Sequence, residues 1–264
     1  MAGAAVLCAE AALRSGCGYV SIATVGSISA DLTTALPSAL LRCTLDAHQP
    51  RLRWEDVPML VDAARTADAI VIGPGLGDDV ELWLAEFVAR LGDVPLLCDA
   101  DALNGIARRR EMLRHLTSNT VLTPHAGEAA RLLGWGNDRE RVEQARQFAV
   151  DQLCESTPAV VILKGADTIV AQHGVPSHIN PTGNAGLAKA GSGDVLSGII
   201  GALLARGMPA LEAAIAGTWI HGRAADVLAG EVGEESYISS DLARALGRAF
   251  ADYAANVRVA NQLG

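Results

Sequence analysis

Short apolar runs, each closing on glycines or acids and each followed by a helical pattern, restrict this chain to few folds. "YVSIAT" (19–24), "ADAIVIGPGLG" (67–77) and "PLLCDADAL" (95–103) have this form. "NTVLTPHAGEAARLLG" (119–134) reads as a strand, a turn and an amphipathic helix ended by Gly134. "AVVILKGADTIVAQ" (159–172) reads as two strands joined at "KGAD", a hairpin. Helical patterns fall at 3–15, 56–66, 79–91, 138–155, 192–207, 209–231 and 239–256. Strands that are apolar throughout are buried on both faces. Their alternation with helices therefore predicts an α/β fold: a central, mostly parallel sheet with helices on both sides. No linker, repeat or low-complexity segment divides residues 1–264, so a single domain is expected. Ligands of such sheets bind beyond the carboxyl ends of the strands. That rule gathers four segments at one place: "GPGLG", "DADALN", "TPHAGE" and "KGAD".

Half of the residues are apolar but only 4% are aromatic, so the core is built from Ala, Val, Leu and Ile. The net charge is −9 and the only basic cluster is Arg108-Arg109-Arg110, which argues against a nucleic-acid partner. An acidic balance leaves a phosphorylated small molecule open, because such ligands are held by local backbone dipoles. Five cysteines, Cys8, Cys17, Cys43, Cys98 and Cys154, are scattered and form no C-x-x-C pair. Reduced thiols in a cytoplasmic protein are expected, with no disulfide frame and no zinc site. No apolar run is long enough to span a bilayer and the start lacks a basic n-region, so neither membrane nor signal peptide is expected.

The segment "NAGLAKAGSGDVLSGIIGALLARG" (184–207) turns abruptly from small residues to an apolar helix. Gly191, Ser192 and Gly193 leave backbone N–H groups open to an anion at a helix N-terminus, a candidate anion hole. No Gly-Lys-Ser/Thr follows, so this is not a Walker A loop. It opens no βαβ unit, so it is not a dinucleotide fingerprint either. Asp194 stands at the junction with two readings. It is either a base that takes a proton from a hydroxyl attacking the phosphate, or an ordinary acid at a helix start.

The other candidates carry paired readings too. His125 lies in a turn after Pro124, either facing a ligand or hydrogen-bonding locally, and Glu128 suits a helix start. Gly75 and Gly77 either let a substrate approach the backbone or simply make a turn. Asp99 and Asp101 suit Mg²⁺ held through water; the alternative is a helix cap at Asp101 or Asn104. Lys164 alone reads as one exposed lysine. Lys189 is near enough to the glycine loop to reach a phosphate. Trp219, His221 and Arg223 are explained by packing and a solvated face.

Taken in order, "GAAVLCAEAALRSGCGYVSIAT", "VIGPGLG", "CDADALN", "LTPHAGEAARLLG", "VVILKGADTIVA" and "NPTGNAGLAKAGSGDVLSGIIGALLARG" resemble the NAD(P)H-hydrate dehydratase family, a branch of the ribokinase-like kinases. The likeness runs from about residue 2 to about 250. It implies a ribokinase-like fold and a nucleotide-dependent hydro-lyase. The substrate implied is NADHX or NADPHX, nicotinamide rings hydrated at C6. The co-substrate implied is ADP, or ATP in the eukaryotic type, with Mg²⁺. "TPH" leans towards ADP. By carry-over, Asp194 is catalytic and Ala4, Gly75, Gly77, His125 and Asp194 contact the hydrated nucleotide. Lys164, Gly165, Ala166, Asp167, Thr168 and Gly193 contact ADP. A homotetramer and a separate NAD(P)H-hydrate epimerase are also implied.

Two departures stand out. Ala185 replaces the usual Pro of a "GNPG" run. The family also normally carries a strand and glycine turn ahead of "GAA", roughly "KGDFGRVLVIGGS", which implies an N-terminally shortened domain here. Competing readings are a small-molecule kinase of the same fold, of the hydroxymethylpyrimidine or hydroxyethylthiazole type, and a non-catalytic nucleotide-binding subunit.

Overall fold

The computed structural model describes residues 1–44, 46 and 48–263, without the side chains of 259–263. The chain opens with α1 (Ala2–Arg14), β1 (Ser21–Thr24), α2 (Ser29–Ala35) and β2 (Leu40–Cys43). There follow α3 (Val57–Ala64), β3 (Ile70–Ile72), α4 (Glu81–Ala89), β4 (Leu96–Cys98), α5 (Ala100–Arg108) and β5 (Thr120–Leu122). Next come α6 (Ala126–Leu133), α7 (Arg139–Gln144), α8 (Arg146–Ser156) and the strands β6 (Val160–Leu163), β7 (Ile169–Gln172) and β8 (Val175–Ile179). Three long helices end the chain: α9 (Ser192–Ala205), α10 (Ala210–Val232) and α11 (Ser239–Leu263).

Two sheets result. The larger has the order β3-β4-β5-β6-β7-β8, parallel from β3 to β6 and antiparallel from β6 to β8. The smaller pairs β1 with β2 in parallel. The expected α/β architecture is therefore present, and "KGAD" does turn a hairpin. β4, β5 and β6 are buried at every residue, as strands covered on both faces must be. Alternate side chains feed two cores. Leu97, Val121, Val160 and Ile162 meet α9 and α10, while Cys98, Leu122, Val161 and Leu163 meet the layer of α3 to α8.

Some expectations need correcting. The helical pattern at 138–155 is two helices, broken at Ala145, whose backbone leaves the helical region (φ −138°, ψ 49°). Strands β2 and β8 have no counterpart in the reading above. Both are short and largely exposed, so neither has the apolar run that marks a buried strand. Helix α9 lies so close to α1 that a Cβ on Gly198 would meet the Cys8 carbonyl oxygen at 2.1 Å. At the start of α9, Gly193 stands beside Lys164 and Asp99, which follow the carboxyl ends of β6 and β4. Among the described residues no helix is long and apolar enough to cross a membrane.

Candidate active site

Gly191 is the residue before α9 and takes a left-handed conformation (φ +89°), which turns the chain into the helix. The Ser192 N–H is spent on the Lys189 carbonyl (3.2 Å). Among the described residues, the N–H groups of Gly193 and Asp194 have no acceptor. Of the three donors expected from "GSG", the Gly191 N–H is likewise without an acceptor among the described residues, and Ser192 is the one engaged. Asp194, the third residue of α9, lies in its first turn, where a carboxylate suits the helix dipole, and its side chain makes no hydrogen bond to the protein among the described residues. Its pKa is pushed up to about 6, by burial first and then by the carboxylate of Asp99, with Lys164 pulling the other way.

The cation of the site comes from β6. Lys164 directs Nζ to Asp99 Oδ1 at 2.7 Å and is only 19% exposed, so it is not the exposed lysine its sequence context suggested. Asp99 is 2% exposed, and its second oxygen accepts the Ser197 hydroxyl at 2.8 Å. A Cβ on Gly193 would stand 3.3 Å from Lys164 Nζ and 3.7 Å from Asp99 Oδ2, so the ion pair lines the floor beneath the free amides. Gly193 thus stands beside the Lys164–Asp99 pair, and Asp194 is near enough to both for their charges to act on its carboxylate.

His125 and Glu128 form one wall. The Glu128 carboxylate accepts the His125 N–H at 2.8 Å, and His125 Nδ1 accepts from the N–H groups of Gly127 (3.0 Å) and Glu128 (3.3 Å). This reciprocal capping box starts α6. With Nδ1 accepting, the ring proton sits on Nε2. Burial, then the charges of Lys164 and Arg131, lower the His125 pKa to about 4, so the ring is neutral near pH 7. Glu128 lies 4.0 Å from Lys164 Nζ, and burial raises its pKa to about 7 against the pull of that lysine. The helix-start role of Glu128 is real, and it adds a second acid facing Lys164.

Other candidates are placed less centrally. The Gly77 N–H donates to Asp101 Oδ2 (2.7 Å), tying "GPGLG" to "DADALN". A Cβ on Gly75 would meet the Met1 backbone at 2.4 Å, so that glycine makes room for Met1 rather than for open space. Ala4 is buried in the first turn of α1. Gly165, Ala166 and Asp167 are exposed at the hairpin tip, where Thr168 Oγ1 bonds the Gly165 carbonyl (2.9 Å). Lys189 is turned away from the glycine loop. Its Nζ donates to the carbonyls of Glu234, Glu235 and Tyr237, which removes it from the phosphate role. Ala185 opens a short 3₁₀ turn held by the Asn184 side chain, which accepts from the Gly186 N–H (3.1 Å).

Both oxygens of Asp99 are engaged and one of Asp101 caps Gly77. Among the described residues no three His, Cys, Asp or Glu side chains are grouped as a metal cage. Two contacts escaped the sequence reading altogether. Ser197 steadies Asp99, and His221 places Nε2 3.2 Å from the hydroxyl of Ser192, the first residue of α9. His221 is buried and its pKa falls to about 4, by desolvation first, so it is neutral. Arg223 pairs with Asp252 and Trp219 packs against Tyr253, as packing residues would.

The NAD(P)H-hydrate dehydratase family model matches residues 1–248. The bifunctional NAD(P)H-hydrate repair enzyme of Escherichia coli is 41% identical over 250 residues, 94% of this chain and 45% of that protein. The ADP-dependent (S)-NAD(P)H-hydrate dehydratase of Neisseria meningitidis is 41% identical over 232 residues, 86% of this chain and 73% of that one. The chain thus spans about half the length of most curated relatives it matches. A crystal structure of the ADP/ATP-dependent NAD(P)H-hydrate dehydratase of Bacillus subtilis, grown with ATP and Mg²⁺, superposes with a TM-score of 0.73 at 27% identity, covering 96% of this chain and 86% of that one.

Proposed function

The chain belongs to the NAD(P)H-hydrate dehydratase family, with a ribokinase-like fold, and we propose that it removes water from hydrated NADH and NADPH at the expense of ADP or ATP. The observation that carries this reading is the uncommitted carboxylate of Asp194, set beside two free amides and a buried lysine. The names of its relatives support the substrate and the nucleotide.

The chemistry follows from what these groups can do. Hydroxide leaves a carbon poorly, whereas phosphate leaves well. Asp194 takes the proton of the C6 hydroxyl as that oxygen attacks the terminal phosphorus of the nucleotide. The bond to the bridging oxygen breaks, releasing AMP from ADP or ADP from ATP. The N–H groups of Gly193 and Asp194 and the ammonium of Lys164 face the charge that grows on the phosphoryl oxygens. The ring nitrogen then supplies the electron pair that expels phosphate from C6, and loss of a C5 proton restores the dihydropyridine. Asp99 and Ser197 hold Lys164 in position, and neutral His125, with its proton on Nε2, offers a donor to the substrate. Gly165 to Thr168 at the hairpin tip contact the nucleotide beyond its phosphates. Among the described residues Mg²⁺ would find no cage of protein ligands. It would arrive on the nucleotide phosphates with its own waters and neutralise their charge, with Asp101 and Asp194 the carboxylates that could meet it through water.

The bifunctional NAD(P)H-hydrate repair relatives support an NAD(P)H-hydrate epimerase activity as the partner of this reaction. The test is incubation with NADHX and each nucleotide in turn, following dihydronicotinamide absorbance and nucleotide products together. Recovered absorbance with AMP and phosphate from ADP supports the reading. A stable phosphorylated product would make the chain a small-molecule kinase, and bound nucleotide without turnover would make it a binding subunit.

A further inference from the structure

One largely buried arginine has no part in the proposed reaction, yet it holds the residue that supplies the site's cation. Arg146 opens α8, directly after the break at Ala145, and its side chain is 16% exposed. Its Nη2 donates to the Leu163 carbonyl at 3.0 Å and, more distantly at 3.4 Å, to the carbonyl of Lys164 itself. Its Nη1 donates at 2.8 Å to Glu143, near the end of α7. Its Nε is buried and has no partner among the described residues. A buried N–H left unpaired costs free energy. The orientation of this guanidinium therefore answers to the end of β6 rather than to its own full set of donors.

The end of β6 lacks other support. The antiparallel ladder closes at the Leu163–Ile169 pair, so Lys164 lies just beyond it. The Lys164 N–H is held by the Pro124 carbonyl (2.8 Å). Its own carbonyl receives no hydrogen bond among the described residues except from Arg146. Gly165 follows at φ +139°, and a Cβ there would stand 2.8 Å from Arg146 Nη1. The hairpin thus turns directly against the guanidinium, an approach that a glycine permits.

We propose that Arg146 is a positioning residue: it fixes the backbone at Leu163 and Lys164 so that the lysine side chain runs to Asp99 and stays beside Gly193. Arg146 acts through Lys164 and not on the substrate. What Lys164 then does for a phosphoryl group rests on the proposed function, whereas the grip on its backbone does not. A guanidinium suits the place because its planar fork serves two carbonyls of β6 and a carboxylate of α7 at once. An ammonium is a single point of charge and cannot span them.

The test uses the lysines themselves, because the chain has two, Lys164 and Lys189. An ammonium held in an ion pair reacts slowly with an acylating reagent such as the N-hydroxysuccinimide ester of acetic acid. The native protein, Arg146→Met and Arg146→Lys would be labelled in parallel, and peptide mass spectrometry would give the rate at each amine. Arg146→Met should speed labelling of Lys164 by about tenfold, as the end of β6 opens locally. Lys189, held by carbonyls at 234, 235 and 237, should keep its native rate. Arg146→Lys, which retains a cation for one of the carbonyls, should fall between the two, and it carries the comparison alone if Arg146→Met does not fold. With NADHX and ADP, kcat should fall in the same order, by a larger factor than the nucleotide KM rises. Native labelling of Lys164 in a folded variant would overturn the proposal. So would an equal rise at both lysines, which would mark a general loosening. Labelling needs no turnover, so it reads the grip even if the chain does not dehydrate NADHX.

Discussion

Asp99→Asn tests the Lys164–Asp99 pair, because it removes one charge while nearly preserving shape. The carboxylate is 2% exposed and sits 2.7 Å from Lys164 Nζ. Losing one partner of a buried pair costs about 3–5 kcal/mol where the other charge is left unpaired; here Glu128, 4.0 Å away, still faces Lys164. Lys164 keeps some solvent contact, at 19% exposed, so the low end applies: about 3 kcal/mol. For a chain of this size that is a fall of roughly 6–12 °C in melting temperature, measurable by calorimetry. The change also has a signed effect on the base. Asp99 raises the Asp194 pKa and Lys164 lowers it. A base must be unprotonated, so activity rises as pH climbs through its pKa, which lies at about 6 in the native chain. Asp99→Asn should move that acid limb to lower pH, and Lys164→Met should move it higher. The double variant should cost less stability than the sum of the singles. A loss under about 1 kcal/mol for Asp99→Asn, strict additivity, or shifts of the same sign would refute the pairing.

Gly193→Ala would put a methyl group 3.3 Å from Lys164 Nζ on a helical backbone, so the fold should hold while nucleotide affinity, read by titration calorimetry, falls. Gly191→Ala forces a side chain into φ +89° and to within 2.6 Å of Leu7, and chemical denaturation should register a loss of about 1–3 kcal/mol. Lys189→Met frees three carbonyls at 234–237; amide exchange there should quicken while nucleotide affinity stays unchanged.

What could be read in advance follows from how local each signal is. The strands at 70–72, 96–98 and 120–122 announce themselves because burial on both faces leaves an apolar run followed by glycine or acid. The glycine junction was legible for a similar reason, since left-handed backbone at Gly191 and an apolar helix behind it are both local. The partners of Asp99 were not. Lys164 lies 65 positions away and Ser197 lies 98 away, so only the folded sheet brings them together. His221 meets Ser192 across two helices, and no residue pattern around either announces the contact. Lys189 misled because nearness in sequence to a glycine loop says nothing about which way a long side chain turns.

The most direct measurement of the central claim is the turnover of Asp194→Asn with NADHX and ADP, alongside its nucleotide affinity and melting temperature. The substitution preserves size but cannot take a proton. Asp194 sits in the first turn of α9 with no side-chain hydrogen bond to lose, and Asn there keeps a helix-start side chain, so stability should change by less than about 1 kcal/mol. Affinity should be unaltered, and turnover should drop by about 10²–10⁴. Near-normal turnover in a folded, nucleotide-binding variant would contradict the account and move the search for the base to Glu128 or Asp101.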